Sequence, residues 1–195
     1  MTSFLGALLE RLYDLKANYL LSNHRRLVPF GDMVSDRWKK ASKLGFGEGT
    51  SIYDSALVLG DVKVGKNTWI GPQTVLDGYS ASLTIGDYCS LSSGVQIYTH
   101  NTVKWALTGG KQHNESAPVV IGSNVYIGPQ TIISKGVTIG CHVIIGACSY
   151  VDKSVEGFTV VWGQPAKIVG RIVMNNDKSD FTIEYLKDSS FPETK

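Results

Sequence analysis

The chain has few cysteines: among 195 residues only Cys89, Cys141 and Cys148, with no C-x-x-C pair. An odd, unpaired set argues against a disulfide framework or a zinc ribbon and fits a reducing, cytoplasmic setting. Charge of one sign is missing as well, since 19 Lys and Arg stand against 17 Asp and Glu, giving a formal net charge of +2 and a pI near 8.4. That balance supplies no field that calls for nucleic acid, although local basic clusters remain able to meet phosphates. Long hydrophobic runs are absent too. The N-terminal apolar stretch is interrupted by Glu10, Arg11, Asp14 and Lys16 and carries neither a basic leader nor an A-x-A cleavage site, so no signal peptide or membrane span is expected and the protein reads as soluble. A hydrophobic content of 43% over this length suffices for one well-buried domain with appendages.

What is present is a period of six. An aliphatic residue followed by glycine recurs at Val64-Gly65, Ile70-Gly71, Ile85-Gly86, Ile121-Gly122, Ile127-Gly128, Ile139-Gly140 and Ile145-Gly146, with Val58, Leu76, Leu91, Ile97, Ile133 and Val151 on the same phase. The fifth residue of each hexad is small or β-branched: Val62, Thr68, Thr74, Val95, Val125, Thr131, Val137 and Val143. Six does not match the α-helical period, and β-branched residues alternating with glycines favour very short strands joined by tight turns. One coil cannot bury its aliphatic row alone. Successive coils must therefore stack at roughly 4.8 Å into a continuous core, a parallel β-helix in an all-β chain.

Two breaks in phase stand out. Nine residues instead of six separate Leu76 from Ile85, which predicts an outward bulge around Asp77-Gly78-Tyr79-Ser80. Residues 98–118 carry no repeat and are expected to form a loop extruded from the scaffold, the kind of place where function sits. Upstream, Leu5, Leu8, Leu12, Leu15 and Tyr19 follow 3,4,3,4 spacing and predict an amphipathic helix of about four turns. Packing on the end of the scaffold as a cap is one expectation for that helix. With Arg25, Arg26, Arg37, Lys39 and Lys40 nearby, peripheral contact with an anionic membrane is the other. Residues 32–50 suggest one strand and an irregular lead-in, and 181–187 a short helix before a loose tail. The domain reading is thus residues 1–50 as helix and lead-in, 51–171 as β-helix with loop 98–118, and 172–195 as a C-terminal tail.

Residues 118–155, followed by Val160 to Arg171 with Gly163-Gln164-Pro165-Ala166-Lys167, resemble the P-[VI]-x-IG-x-x-V-[WY]-IG, GV-x-IG, VIGAGS and closing G-x-PA-[KR] motifs of the left-handed β-helix hexapeptide acyltransferases, the group of galactoside, maltose, xenobiotic and polysaccharide O-acetyltransferases. The resemblance spans about residues 50–171. It implies left-handed coils, a homotrimer with active sites between subunits, acetyl-CoA as acyl donor, a sugar acceptor and no metal. Handedness comes from the resemblance alone.

Acyl transfer from a thioester needs a base for the acceptor proton and a groove that aligns both substrates. Of four histidines, His100 sits where the chain leaves its rung for the long loop, and similar enzymes place their catalytic histidine at this exit. The Tyr98-Thr99-His100-Asn101 form is nearer to some polysaccharide acetyltransferases than to the T-x-T-H-P stretch of galactoside and maltose enzymes. His24 and His142 read as surface residues, and His100, His113 and His142 lack the spacing of a three-histidine metal site. By motif, Gly128, Pro129, Ala147 and Ser149 would line the pantetheine arm, and Lys153, Lys167 and Arg171 would meet phosphates. Cys148 stands where the motif has glycine; Cys148 and Cys89 both read first as small buried hydrophobes. Asp77, Tyr79, Asn101, Trp105 and His113 are the candidates for acceptor contact, with Lys104 beside them. The function expected is acetyl-CoA-dependent O-acetylation of a sugar of a cell-surface polysaccharide or its precursor. The alternatives are N-acetylation of a nucleotide-linked amino sugar and a non-catalytic β-helical scaffold. Serine acetyltransferase fits less well, because its large helical N-terminal domain has no counterpart in the residues before the repeat.

Overall fold

In the computed structural model, which describes residues 4–177 and 179–186, the hexads wind as coils of a parallel β-helix. One face carries β1 (Ser51–Ile52), β3 (Trp69–Ile70), β5 (Ser90–Leu91), β10 (Tyr126–Ile127), β13 (Ile144–Ile145) and β15 (Thr159–Gly163), each parallel to the next. A second carries β2 (Leu57–Val64), β4 (Val75–Ile85), β6 (Gln96–Tyr98), β11 (Ile132–Ile133) and β14 (Tyr150–Val151). Both β2 and β4 are long enough to turn the corner, and the far half of β4 pairs with β9 (Val119–Ile121), itself paired with β12 (Thr138–Ile139), on a third face.

The register explains the core. Ile70, Leu91, Ile127, Ile145 and Val161 lie directly over one another, as do Leu76, Ile97, Ile133 and Val151, all with at most 2% of their surface exposed. Corner threonines satisfy the turn carbonyls: the Thr74 hydroxyl donates within its own turn to the Gly71 carbonyl, and those of Thr68 and Thr131 donate to Gly86 and Gly146 of the next coil. Gly128 shows why glycine follows the inward aliphatic. A Cβ there would lie 2.5 Å from the Ala147 amide nitrogen of the next coil, so the spacing between coils leaves no room for it.

Three expectations need correction. Residues 32–50 contain no strand; they form α2 (Phe30–Val34) and α3 (Arg37–Lys43), because the Asp36 carboxylate caps α3 by accepting from the amides of Trp38 and Lys39 at 3.0 Å. Residues 181–185 are strand β17 (Phe181–Tyr185), antiparallel to β16 (Ala166–Met174), with Ile183 opposite Ile172. The alternation of Phe181, Ile183 and Tyr185 with Thr182 and Glu184 is a period of two, which specifies a strand rather than the expected helix. The tail beyond Leu186 lies outside the described residues. Finally, the expected N-terminal helix is present as α1 (Phe4–His24), but its leucine stripe does not cap the coils. It packs instead through Ala17, Leu20 and Tyr13 on Met33 and Val28. The first coil is closed by Ala41 of α3 and by Phe46, which join the core cluster containing Ile52.

Candidate active site

Both breaks in phase fall at one corner of the scaffold. Leu59 and Gly60 pair with Asp77 and Gly78, then the register jumps so that Val62 pairs with Leu83. The surplus therefore leaves the coil after Gly78. Tyr79 is 78% exposed, whereas Asp77, expected within the bulge, is 1% exposed and stays in the wall. One coil later β6 pairs Tyr98 with Asp77, and the chain departs through buried Thr99 into the long loop.

That loop is an arm with its own structure. β7 (His100–Asn101) and β8 (Glu115–Ser116) form an antiparallel ribbon, His100 opposite Ser116, and α4 (Val103–Leu107) lies toward its tip. The Thr99 carbonyl accepts from the Ala117 amide at 2.9 Å, which closes the base of the arm. Glu115 ties the ribbon to the helix. Its Oε1 lies 2.8 Å from Lys104 Nζ, its Oε2 accepts from Asn101 Nδ2 at 3.4 Å and lies 3.9 Å from Lys135 Nζ on the scaffold. Asn101 Oδ1 accepts from the Val103 amide at the start of α4. The Lys104 ammonium, through its hydrogen bond and its charge, holds the Glu115 carboxyl below the usual carboxylate range.

At the root of the arm, His100 Nδ1 lies 2.7 Å from Asp77 Oδ2. The carboxylate is buried and the imidazole about a quarter exposed. Asp77 Oδ1 accepts from the Tyr79 amide at 3.0 Å, which fixes the orientation of the carboxylate. Among the described residues five buried side-chain polar atoms lack a well-oriented hydrogen-bond partner; three of them, Asp77 Oδ2, Thr99 Oγ1 and His100 Nδ1, are at this corner. The His100–Asp77 contact is thus close but not aligned along the N–H direction. An Nδ1 proton turned onto Asp77 would leave the lone pair on Nε2.

The other sequence candidates divide sharply. Tyr79 and Trp105 are exposed on the two extrusions that flank His100, and exposed His113 lies on the arm beyond α4. Asn101 is committed to the arm's internal bonds, and Asp77 to His100 rather than to open space. Of the donor candidates, Pro129, Ala147, Lys153 and Lys167 are exposed, and Arg171 faces Glu156 at 3.8 Å. Ser149 is 2% exposed; its hydroxyl donates to the Gly146 carbonyl at 2.7 Å and accepts from the Gly163 amide at 3.2 Å, so only backbone groups there could face a donor, as the motif implies. Gly128 is buried and serves coil stacking. Cys89 is buried as expected, but Cys148 is exposed, in a left-handed turn at φ 56°. His142 is stacked on Phe158 with ring centroids 4.6 Å apart. Glu115 was missed because nothing in a repeat-free loop marks a residue that binds the loop to itself. No group of three or more His, Cys, Asp or Glu able to hold a metal occurs among the described residues.

Comparison with known proteins agrees with this architecture. Residues 118–153 match the family described as bacterial transferase hexapeptide (six repeats). The chain is 31% identical over 147 residues to galactoside O-acetyltransferase of Escherichia coli K12, covering 65% of this chain and 71% of that one. It is 31% identical over 124 residues to the putative colanic acid biosynthesis acetyltransferase WcaF of the same organism, covering 55% and 68%. Among solved structures, AntD, an N-acyltransferase from Bacillus cereus in complex with dTDP and 3-hydroxybutyryl-CoA, superposes with a TM-score of 0.59 at 24% identity over 64% of this chain and 70% of that chain, a likeness of fold. The chain belongs to the hexapeptide-repeat transferase family and is an acyltransferase.

Proposed function

We propose that the protein transfers an acetyl group from acetyl-CoA to a sugar hydroxyl of a cell-surface polysaccharide or its precursor, with His100 as general base. The observation that carries this reading is the contact of His100 with buried Asp77 at the root of an extruded arm. Similarity to a galactoside O-acetyltransferase and to a putative colanic acid acetyltransferase supports a sugar hydroxyl as acceptor. Nε2 takes the proton as the hydroxyl oxygen attacks the thioester carbonyl. The tetrahedral oxyanion then collapses, the carbon–sulfur bond breaks, and the CoA thiolate leaves with the proton returned by the imidazolium. Asp77 holds the ring in the right tautomer and stabilises the imidazolium, the part a carboxylate plays behind histidine elsewhere. Tyr79, Trp105 and His113 offer stacking and polar contact to the acceptor. Pro129 and Ala147 flank the donor's arm, with Lys153, Lys167 and Arg171 toward its phosphates.

In this reading the coils are left-handed, three copies assemble, and each site is completed by a neighbouring subunit. Three unpaired thiols agree with a cytoplasmic enzyme. The test is release of CoA, corrected for hydrolysis, from acetyl-CoA across a panel of sugars and nucleotide-linked amino sugars. Release that depends on a sugar hydroxyl and is lost in His100→Ala, with the oligomer intact, is the expected result. Release on amino sugars alone would make the enzyme an N-acetyltransferase, and release unchanged by the substitution would remove His100 as the base.

A further inference from the structure

Among the described residues nothing covers the side of α1 that the sequence marks as apolar. Leu5, Leu8, Leu12, Leu15 and Tyr19 follow one another along the helix and are each between 42% and 62% exposed, while the helix is held to the rest of the chain through Tyr13, Ala17 and Leu20 on an adjacent side. Five large side chains open to water along 21 residues of helix are costly unless a surface meets them. The segment that carries α1 is also the basic part of the chain, although Lys40 is held by the carbonyls of Tyr53, Asp54 and Ala56 and Arg37 lies over the rings of Trp38 and Tyr53. Residues 1–43 hold eight Lys and Arg against four Asp and Glu, a net +4 in a chain whose total is +2, so the remaining residues are net negative. Of the four acids, Asp32 is already occupied by the amide of Ser55 and its hydroxyl, and Asp36 caps α3. Arg25 is exposed directly after α1, and Arg26 beside it is half-buried, with its Nε inside. Lys16 follows Leu12 by four residues, where its stem can lie along the apolar stripe with the ammonium at the rim.

An apolar stripe with a basic end is complementary to an anionic lipid surface. Among the described residues no helix is long and apolar enough to cross a membrane, so the helix would lie along such a surface. We propose that α1 docks the protein on the face of an anionic bilayer, Leu5, Leu8, Leu12, Leu15 and Tyr19 entering the headgroup boundary while Lys16, Arg25 and Arg26 meet phosphates. This goes beyond acyl transfer and does not require it. It would bring the enzyme to acceptors carried on lipid.

The experiment is co-sedimentation of the full-length protein, without acetyl-CoA, with vesicles of phosphatidylcholine alone or containing about 30% phosphatidylglycerol, at low salt and at about 0.5 M salt. Binding is expected only with the anionic vesicles and is weakened by salt. Leu8→Glu/Leu12→Glu is expected to abolish it and Arg25→Gln/Arg26→Gln to weaken it roughly 30-fold, each cation contributing about fivefold near the surface. Both variants keep the wild-type oligomeric mass by light scattering and the wild-type rate on a soluble acceptor. Equal binding to neutral and anionic vesicles, binding indifferent to the leucine substitutions, or no binding would overturn the proposal. A changed oligomeric mass in Leu8→Glu/Leu12→Glu would assign the stripe to a second copy of this chain instead.

Discussion

Replacing Asp77 by Asn tests the proposed base without touching substrate. The carboxylate has two tasks: Oδ1 accepts from the Tyr79 amide at 3.0 Å and Oδ2 faces His100 Nδ1 at 2.7 Å. An Asn side chain has one acceptor oxygen. If that oxygen stays with the Tyr79 amide, the NH2 group faces Nδ1, the imidazole proton moves to Nε2, and the base is lost. If the amide flips, Tyr79 loses its partner and the carboxylate charge is still gone. At 2.7 Å and an effective dielectric near 20, attraction between a carboxylate and the forming imidazolium is about 6 kcal/mol. The ring edge is partly open to water and the amide dipole retains some of the attraction, so a loss of about 3–5 kcal/mol is expected. That corresponds to roughly 100- to 10,000-fold in kcat. Because Asp77 is buried behind the histidine, KM for acetyl-CoA is expected to stay within about twofold. The assay is steady-state release of CoA with the best sugar found, beside a thermal transition to show that the variant is folded. A folded Asp77→Asn enzyme with wild-type kcat would refute the argument. So would a change confined to KM, since it would place Asp77 on substrate.

Further outcomes follow from the same coordinates. Ile127→Ala, stacked between Leu91 and Ile145 with none of its surface exposed, is expected to cost about 2–5 kcal/mol in chemical denaturation, whereas outward-facing Thr84→Ala stays within about 0.5 kcal/mol. Burial pushes the Cys89 thiol up, so a thiol reagent should label the exposed Cys141 and Cys148 in the native protein and reach Cys89 only on unfolding; three equally fast thiols would contradict the core assignment. The Glu115 carboxyl is held down chiefly by its hydrogen bond to Lys104, so its contribution to the folded arm is present above the ordinary carboxylate pKa and is lost as pH falls through the lowered folded value. Protection of the Ala117 amide, bonded to the Thr99 carbonyl at the base of the arm, is therefore expected to persist, relative to the intrinsic exchange rate, from neutral pH down through the ordinary carboxylate range and to fall only below it. Glu115→Gln should make the arm equally loose at every pH.

The scaffold was legible because its physics repeats. Every coil poses the same burial problem, and Ile70, Ile127 and Ile145 answer it the same way, so weak local signals add along the chain. The regions misread are those where nothing repeats. Asp36 is a short-range capping signal outweighed by the apolar residues around it, and β17 is one strand of five residues whose alternation competes with a helical pattern of equal length. For α1 the period was right and the partner was not: periodicity shows that a face is apolar but not what it meets, and the first coil had already been closed by Ala41 and Phe46.

The site lies between these cases. The choice of His100 rests on its place at the exit of the repeat together with the family resemblance, and remains a proposal. Its partner could also have been found by counting, since Asp77 and Tyr98 are 21 residues apart, one turn of three hexads plus the three residues by which the interval between Leu76 and Ile85 exceeds six. Three extra residues leaving after Gly78 keep Asp77 on the rung below Tyr98, so both extrusions begin from the same corner of adjacent coils. A bulge that began two residues earlier would have carried Asp77 into solvent, and His100 would face no carboxylate. Because the surplus leaves after Asp77, it carries Tyr79 outward and leaves the acid in the wall, on the rung beneath Tyr98. A chain of the same composition with an unbroken six-residue period would retain the core and the rung that holds Asp77, but not the arm that starts at His100.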